Sequence, residues 1–220
     1  MRIVLFYTAI ILLPLFTACN NDATVATGTG TTDSIAEKEP VIPRFATYRE
    51  AIEAMRAKKD ESMLMHNIIE PDKAAVFKGL QYFAPDSTYI FKAKLTLLKP
   101  EKVSFKTTDE RTPVYYKFCK ISFSKADTAT ELFGYVNEDE IQQPTSLFIP
   151  FKDKTSGLLA YGGGRYIDLD YHGEKNMILL DFNYAYNPYC HYNHNYSCPL
   201  VPADNILKIS ILAGEKKLYE

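Results

Sequence analysis

The stretch Tyr89-Ile90-Phe91-Lys92-Ala93-Lys94-Leu95-Thr96-Leu97 decides the fold class. Tyr89, Phe91, Ala93, Leu95 and Leu97 alternate with Lys92, Lys94 and Thr96. A period of two is that of a strand with one buried face and one wet face.

Outward from this stretch the same texture continues. Segments 103–107, 114–124, 131–136, 147–151, 166–171, 177–183 and 207–212 read as further short strands separated by turn residues. His172-Gly173-Glu174, between two of them, predicts a tight hairpin. About eight short strands at regular spacing predict a mainly β domain, an antiparallel sandwich or closed barrel. Sheets of this size curl or close to remove exposed edges. On the N-terminal side, Thr47-Tyr48-Arg49-Glu50 forms a capping box, and Tyr48, Ile52 and Met55 share a face. One N-terminal helix over 48–59 is therefore expected, able to cover one end of the sheet. A second helical turn starts at Pro71 and leads through Val76 and Phe77. No Gly-rich strand-to-helix unit suggests a nucleotide-binding α/β fold, and no internal repeat is visible.

The 220 residues, 46% hydrophobic with a net charge of −2, fit one globular domain, placed at 44–220. They exclude a wholly disordered chain, and the absence of a basic cluster gives no case for nucleic acid as a partner. Aromatic residues are skewed toward Tyr, with 16 of them against no Trp.

Residues 1–18, MRIVLFYTAIILLPLFTA, have the layout of a secretory signal peptide: Arg2, an apolar run over 3–16, then small residues. As a helix the run spans roughly 21 Å, short of a bilayer core of about 30 Å. Pro14 also argues against a stable spanning helix. The end of this segment, LFTAC, resembles a bacterial lipoprotein signal, with Cys19 as the acylated residue, although Phe16 stands where that pattern prefers Leu. The alternative is a plain signal peptide with an incidental Cys. The lipoprotein reading makes the membrane a partner through a lipid anchor and gives a bacterial cell-envelope address, with the outer membrane expected. After Cys19, the rest of segment 19–43 is rich in Thr, Ala, Gly and Asp without hydrophobic periodicity, as in a flexible linker. It would hold the domain roughly 27 Å from the bilayer.

Two stretches differ from ordinary amphipathic strands: LFIPFKDKTSGLLAYGGGRYIDL (147–169) and LDFNYAYNPYCHYNHNYSCPLVPADNILKISILAGEK (180–216). With FKGLQYFAPDSTY and TTDERTPVYYKF upstream, they resemble the domain of unknown function 1684 family, from about Tyr48 to the C-terminus. The resemblance implies a fold group and a place to look for activity, not a reaction. This chain departs from the family pattern at Leu159-Ala160, where Glu-Thr is usual, at Phe118-Cys119 and at Val201.

Within these segments the candidate residues divide into groups. Gly162, Gly163 and Gly164 with Arg165 read either as a backbone nest for an anion or as a tight turn where another segment passes close. Cys190 and Cys198 enclose seven residues, and in an exported protein they are expected to form a disulfide. The rival is a zinc site with His191 and His194, disfavoured because adjacent Cys190 and His191 cannot easily chelate together. The family pattern also keeps both cysteines without requiring either histidine. No metal or other cofactor is expected. Cys119 reads as a small core residue, and His66 and His172 as surface or turn residues.

The remaining candidate ligand contacts are Arg111, Tyr161, Gly163, Arg165, Tyr166, Asp168, Asp181, Asn183 and Asn187, with Asn205 also noted. Asp181 and Asn183 would face one side of a strand and could line the mouth of a barrel. Alternatively the set forms a buried network, with Asp181 paired to Arg165 and Asn187 capping the turn before Pro188. Three functions follow: a module binding a small ligand in a Tyr-, Asn- and Arg-lined cleft, a hydrolase using Arg165 with Asp181 or Asp168, or an envelope domain with a structural or protein-binding role. No Ser–His–Asp order, H-E-x-x-H or paired-carboxylate motif supports catalysis.

Overall fold

The N-terminal helix begins where the capping box places it. In the computed structural model, which describes residues 47–218, Thr47 Oγ1 accepts from the Glu50 N–H at 3.2 Å, and Glu50 Oε2 accepts from the Thr47 N–H at 3.0 Å. The expected signal peptide 1–18, the expected lipidation site Cys19 and the expected linker 19–43 lie outside the described residues. Helix α1 spans Tyr48–Met65, longer than the expected 48–59. Its inner face explains the shortfall. Lys59 pairs with Glu215 at 2.6 Å, and Asp60 accepts from the Leu80 N–H at 3.0 Å. Polar groups thus occupy places where the helical period would need apolar ones. Ile52 and Met63 supply the apolar part of that face, 0% and 2% exposed. Helix α2, Pro71–Ala74, starts on its proline, whose missing N–H costs nothing in a first turn.

The sheet has six strands: β1 (Ile90–Ser104), β2 (Val114–Lys125), β3 (Thr128–Asn137), β4 (Ser146–Phe151), β5 (Arg165–Asp170) and β6 (Met177–Asp181). Every neighbouring pair is antiparallel, in the order β5-β4-β3-β2-β1-β6. The sheet curls into a half-barrel, so the expected sandwich or closed barrel of about eight strands is corrected at three places.

First, 90–97 and 103–104 belong to one strand, and 105–107 lie beyond its end. The register shifts between Leu97 and Glu101, and this bulge absorbs Lys99-Pro100, which reads as a break in the sequence. Second, 207–212 is not a strand, because its backbone groups bond elsewhere. The Leu207 N–H donates to Lys152 O at 2.7 Å, and the Ile211 N–H to Asp153 Oδ2 at 2.7 Å. Ile211 O accepts from Arg165 at 2.9 Å. Third, β5 and β6 follow one another in the chain but lie at opposite edges of the sheet, so 172–174 joins no hairpin. Alternation reports which face of a strand is buried; it does not report which strand lies beside it.

The main core fills the concave face with Leu95, Ile121, Leu132, Leu147, Ile149 and Phe151, among others. Each such side chain contributes roughly 1.5–3 kcal/mol by leaving water. A smaller cluster of Met63, Ile69, Leu80 and Tyr192 fixes the 189–198 loop beneath the end of α1. Among the described residues no helix is long and apolar enough to cross a membrane.

Candidate functional site

The polar signature folds mainly into a brace. The 161–164 turn delivers Arg165 to the start of β5. Gly164 has φ +102°, and a Cβ there would stand 2.8 Å from Phe151 O and 2.5 Å from Val201 Cγ2, so a side chain is excluded twice over. Arg165 is 0% exposed. Its guanidinium donates to Ile211 O at 2.9 Å, Glu215 O at 3.2 Å, Asp153 Oδ1 at 3.2 Å, and Ala213 O. Burial pulls its pKa down, and the Asp153 carboxylate opposes that shift.

Glu215 is a second hub. It accepts from Lys59 Nζ at 2.6 Å, the Tyr192 hydroxyl at 2.6 Å and the Asn187 N–H at 2.7 Å. Asn187 Nδ2 donates to Lys216 O at 2.8 Å. Asn205 Nδ2 donates to Pro150 O at 2.7 Å and to Phe133 O at 2.9 Å, and its Oδ1 accepts from the Phe133 N–H at 2.8 Å. These groups fasten the irregular C-terminal segment across the open side of the sheet.

The brace leaves a cleft beside it. A cavity of about 500 Å³ is walled by Tyr115, Phe148, Tyr166, Tyr186, Tyr189 and Tyr196, with Asp168, Lys59 and Cys198 at its margins. Tyr115 and Phe148 stack at 5.3 Å between centroids. Phe148 and Tyr166 meet edge to face at 4.9 Å, as do Tyr166 and Tyr186 at 5.8 Å. Such pairs hold one another at defined angles. Lys59 Nζ lies 4.6 Å from the Tyr186 centroid. The Tyr186 hydroxyl donates to Asp168 Oδ2 at 2.5 Å. Desolvation raises the Asp168 pKa, and the Tyr186 hydroxyl works against that rise. Tyr166 donates its hydroxyl to Pro199 O.

Of the residues proposed from the sequence, Tyr166 and Asp168 come to this cleft. Arg111 lies at an adjoining hollow that shares Tyr115, Ser197 and Pro199 with it, and pairs with Asp109 at 2.7 Å. Tyr161 sits elsewhere, against His191 at 4.4 Å, and its ring would clash at 2.3 Å with a Cβ on Gly163. Arg165 and Asn187 are 0% exposed and Asn183 1%, so these three are enclosed by protein and line no cavity wall.

Asp181 does not pair with Arg165. Its Oδ2 accepts from the Tyr48 hydroxyl at 2.6 Å, and its Oδ1 from the Asn183 N–H at 2.8 Å. Asn183 in turn bonds both backbone groups of Asp86, at 2.9 and 2.8 Å. Tyr115, Phe148, Tyr186, Tyr189, Tyr196 and Lys59 are wall residues not singled out from the sequence. The dense Tyr spacing of 184–196 was the available signal, whereas Lys59 and Phe148 come from distant elements.

The expected Cys190–Cys198 disulfide is absent; both are free thiols held side by side. The Cys190 N–H donates to Cys198 Sγ at 3.2 Å. The Cys190 thiol hydrogen-bonds to the same sulfur, which lowers the Cys198 pKa and raises that of Cys190. His191 and His194 do not join them. His191 Nε2 accepts from the Leu218 N–H at 3.0 Å, and His194 Nδ1 contacts Glu70 Oε1. Among the described residues no three His, Cys, Asp or Glu side chains are grouped to hold a metal. Cys119 is 0% exposed in the core, where burial pushes its thiol up to about 12.

A model of the family described as Protein of unknown function (DUF1684) matches residues 75–216. The solution NMR structure of an uncharacterized protein of Haloarcula marismortui is 36% identical, with a TM-score of 0.60. That likeness covers 76% of this chain and 92% of the other. No curated protein matches the chain.

Proposed function

The chain belongs to the DUF1684 family of proteins of unknown function, and we propose that its domain binds a small ring-shaped ligand in the aromatic cleft. The observation that carries this reading is the cavity of about 500 Å³ with six aromatic rings in its wall. Tyrosine faces and edges suit the C–H faces of a sugar or the π-face of an aromatic metabolite, while their hydroxyls and Asp168 offer hydrogen bonds. Arg165 and the buried Asn residues support the cleft instead of lining it.

In this reading the domain works at a bacterial cell envelope, tethered through a lipid on Cys19 and presented by the 19–43 linker, with the outer membrane as its address. The secretory layout of 1–18 and the LFTAC sequence support that placement. An oxidising compartment would join Cys190 to Cys198, whose sulfurs already face one another, and would fix the loop that carries Tyr189 and Tyr196.

Titration of the purified domain with a panel of sugars and planar aromatic metabolites tests the cleft. With no Trp in the chain, intrinsic emission comes from tyrosine, so a ligand on the wall changes it directly. Removing one stacking ring by Tyr196→Ala should weaken binding roughly two- to tenfold. Ligands that raise thermal stability equally in the wild type and in Tyr196→Ala would sink the assignment.

A further inference from the structure

The two open edges of the half-barrel face a common slot. A cavity of about 610 Å³ is lined from β5 by Ile167, Asp168, Leu169 and Asp170, and from β6 by Ile178 and Leu179. We propose that this slot binds an extended protein segment of alternating apolar and basic residues, taken up as an added strand between β5 and β6.

The backbone directions follow from bonds at the ends of each strand. The Tyr171 N–H donates to Thr145 O at 2.8 Å, which turns Tyr171, and with it Leu169 and Ile167, toward β4. Tyr166 exchanges both its backbone bonds with Tyr186, at 2.8 and 2.9 Å, on the opposite side. Backbone direction alternates along a strand, so the N–H and C=O groups of Asp168 and Asp170 point away from β4 into the slot. On β6, the Leu95 N–H donates to Asn176 O at 2.8 Å, which turns Ile178 and Leu180 toward β1. Met177 and Leu179 therefore present their backbone groups to the same slot. Among the described residues, no strand pairs with these four positions.

The ends of the slot are built. At one, the chain leaving β6 crosses over and pairs Tyr186 with Tyr166. At the other, the 171–176 connection closes, with the Tyr171 hydroxyl donating to Glu174 O at 2.9 Å. Between them a segment of roughly four to six residues would fit at about 3.4 Å per residue.

Side chains select the occupant. Ile167 and Ile178 are 2% and 7% exposed and form an apolar floor. The lining adds the carboxylates of Asp168, Asp170, Glu174 and Asp181 and contains no Lys or Arg. A strand between the edges would alternate, with apolar side chains on the floor and the others beside Asp168 and Asp170. Basic residues complement those carboxylates. A second copy would bring its own carboxylates against them, which disfavours edge-to-edge self-pairing.

The test uses the purified full chain and a capped six-residue peptide alternating Val and Lys. Expected are saturable binding and new hydrogen-exchange protection at the Asp168, Asp170, Met177 and Leu179 amides. N-methylation of the peptide's alternate amides should abolish both, with the protein itself untouched. Asp170→Lys, on an exposed side chain, should weaken binding by at least about tenfold. Equal binding of a Val–Glu peptide or of the N-methylated peptide would overturn the proposal. So would no binding at millimolar peptide, or protection of the same amides by self-association in sedimentation.

Discussion

The Tyr186 hydroxyl donates to Asp168 Oδ2 at 2.5 Å, and Asp168 stands between two openings in the domain. On one side lies the aromatic cleft, and on the other the slot between β5 and β6. Tyr186 also forms the backbone bridge to Tyr166 that ends the slot. One short segment after β6 therefore shapes both cavities.

Tyr186→Phe removes the donor and leaves Asp168 to the desolvation that raises its pKa. The Asp168 titration followed by carboxyl-carbon NMR should move further upward. A raised carboxyl pKa favours the folded state at low pH, and that stability is lost as pH rises through the folded value. The variant should therefore lose more stability than the wild type toward neutral pH. An unchanged or lowered Asp168 midpoint would contradict the bond's role.

Arg165→Met should cost about 3–5 kcal/mol, because Asp153 loses its buried cationic partner while several carbonyls lose their donor. Urea denaturation would report it as a lower midpoint. If the variant is too unstable to purify, limited proteolysis in lysate gives the same comparison. A loss below about 1 kcal/mol would show the guanidinium to be dispensable.

His191 makes stability pH-dependent. Burial lowers its pKa from 6.5 to about 4, and its Nε2 accepts the Leu218 N–H, which requires the neutral ring. In that window the unfolded chain binds the proton and the folded one does not, so stability falls as pH drops from about 6.5 to about 4. His191→Gln should flatten this limb, by on the order of 1 kcal/mol once solvent screening at a partly exposed ring is allowed for. Glu70, held at about 2 chiefly by Lys73, then by His194, adds its own loss only below its ordinary 4.5.

Mild oxidation should join Cys190 and Cys198, read as a mass two units lower (about 2 Da) that reductant restores. Before oxidation, native alkylation should set in at lower pH at Cys198 than at an ordinary thiol and leave buried Cys119 unmodified. Cys190→Ala removes the thiol that donates to the Cys198 sulfur and should shift that alkylation midpoint upward. Labelling of Cys119 before Cys198 would contradict the order.

On the proposed lipid anchoring, Cys19→Ala should move the protein from the membrane fraction to the soluble fraction. Membrane association that survives the substitution would overturn the proposed tether.

Local features of the fold were legible because each depends on neighbours in sequence. Thr47 and Glu50 mark the start of α1, and the alternation from Tyr89 to Leu97 marks β1. The end of α1 was hidden, since Lys59 and Asp60 face inward and are satisfied by Glu215 and Leu80, residues far along the chain. The 207–212 segment has a strand's composition, yet its backbone bonds go to Lys152, Asp153, Lys154 and Arg165.

The site shows the same division. The sequence alone established a β-rich domain, the helix start, and two polar segments where function should be sought. Tertiary structure decided that Arg165, Asn187 and Asn205 brace the core while Tyr115, Phe148, Tyr166, Tyr186, Tyr189 and Tyr196 form the wall. It also decided that β6 pairs with β1 and leaves a slot beside β5. The physical reason is that periodicity encodes which face of a strand leaves water. The partner of a buried charge and the neighbour of a strand edge depend on where distant segments pack.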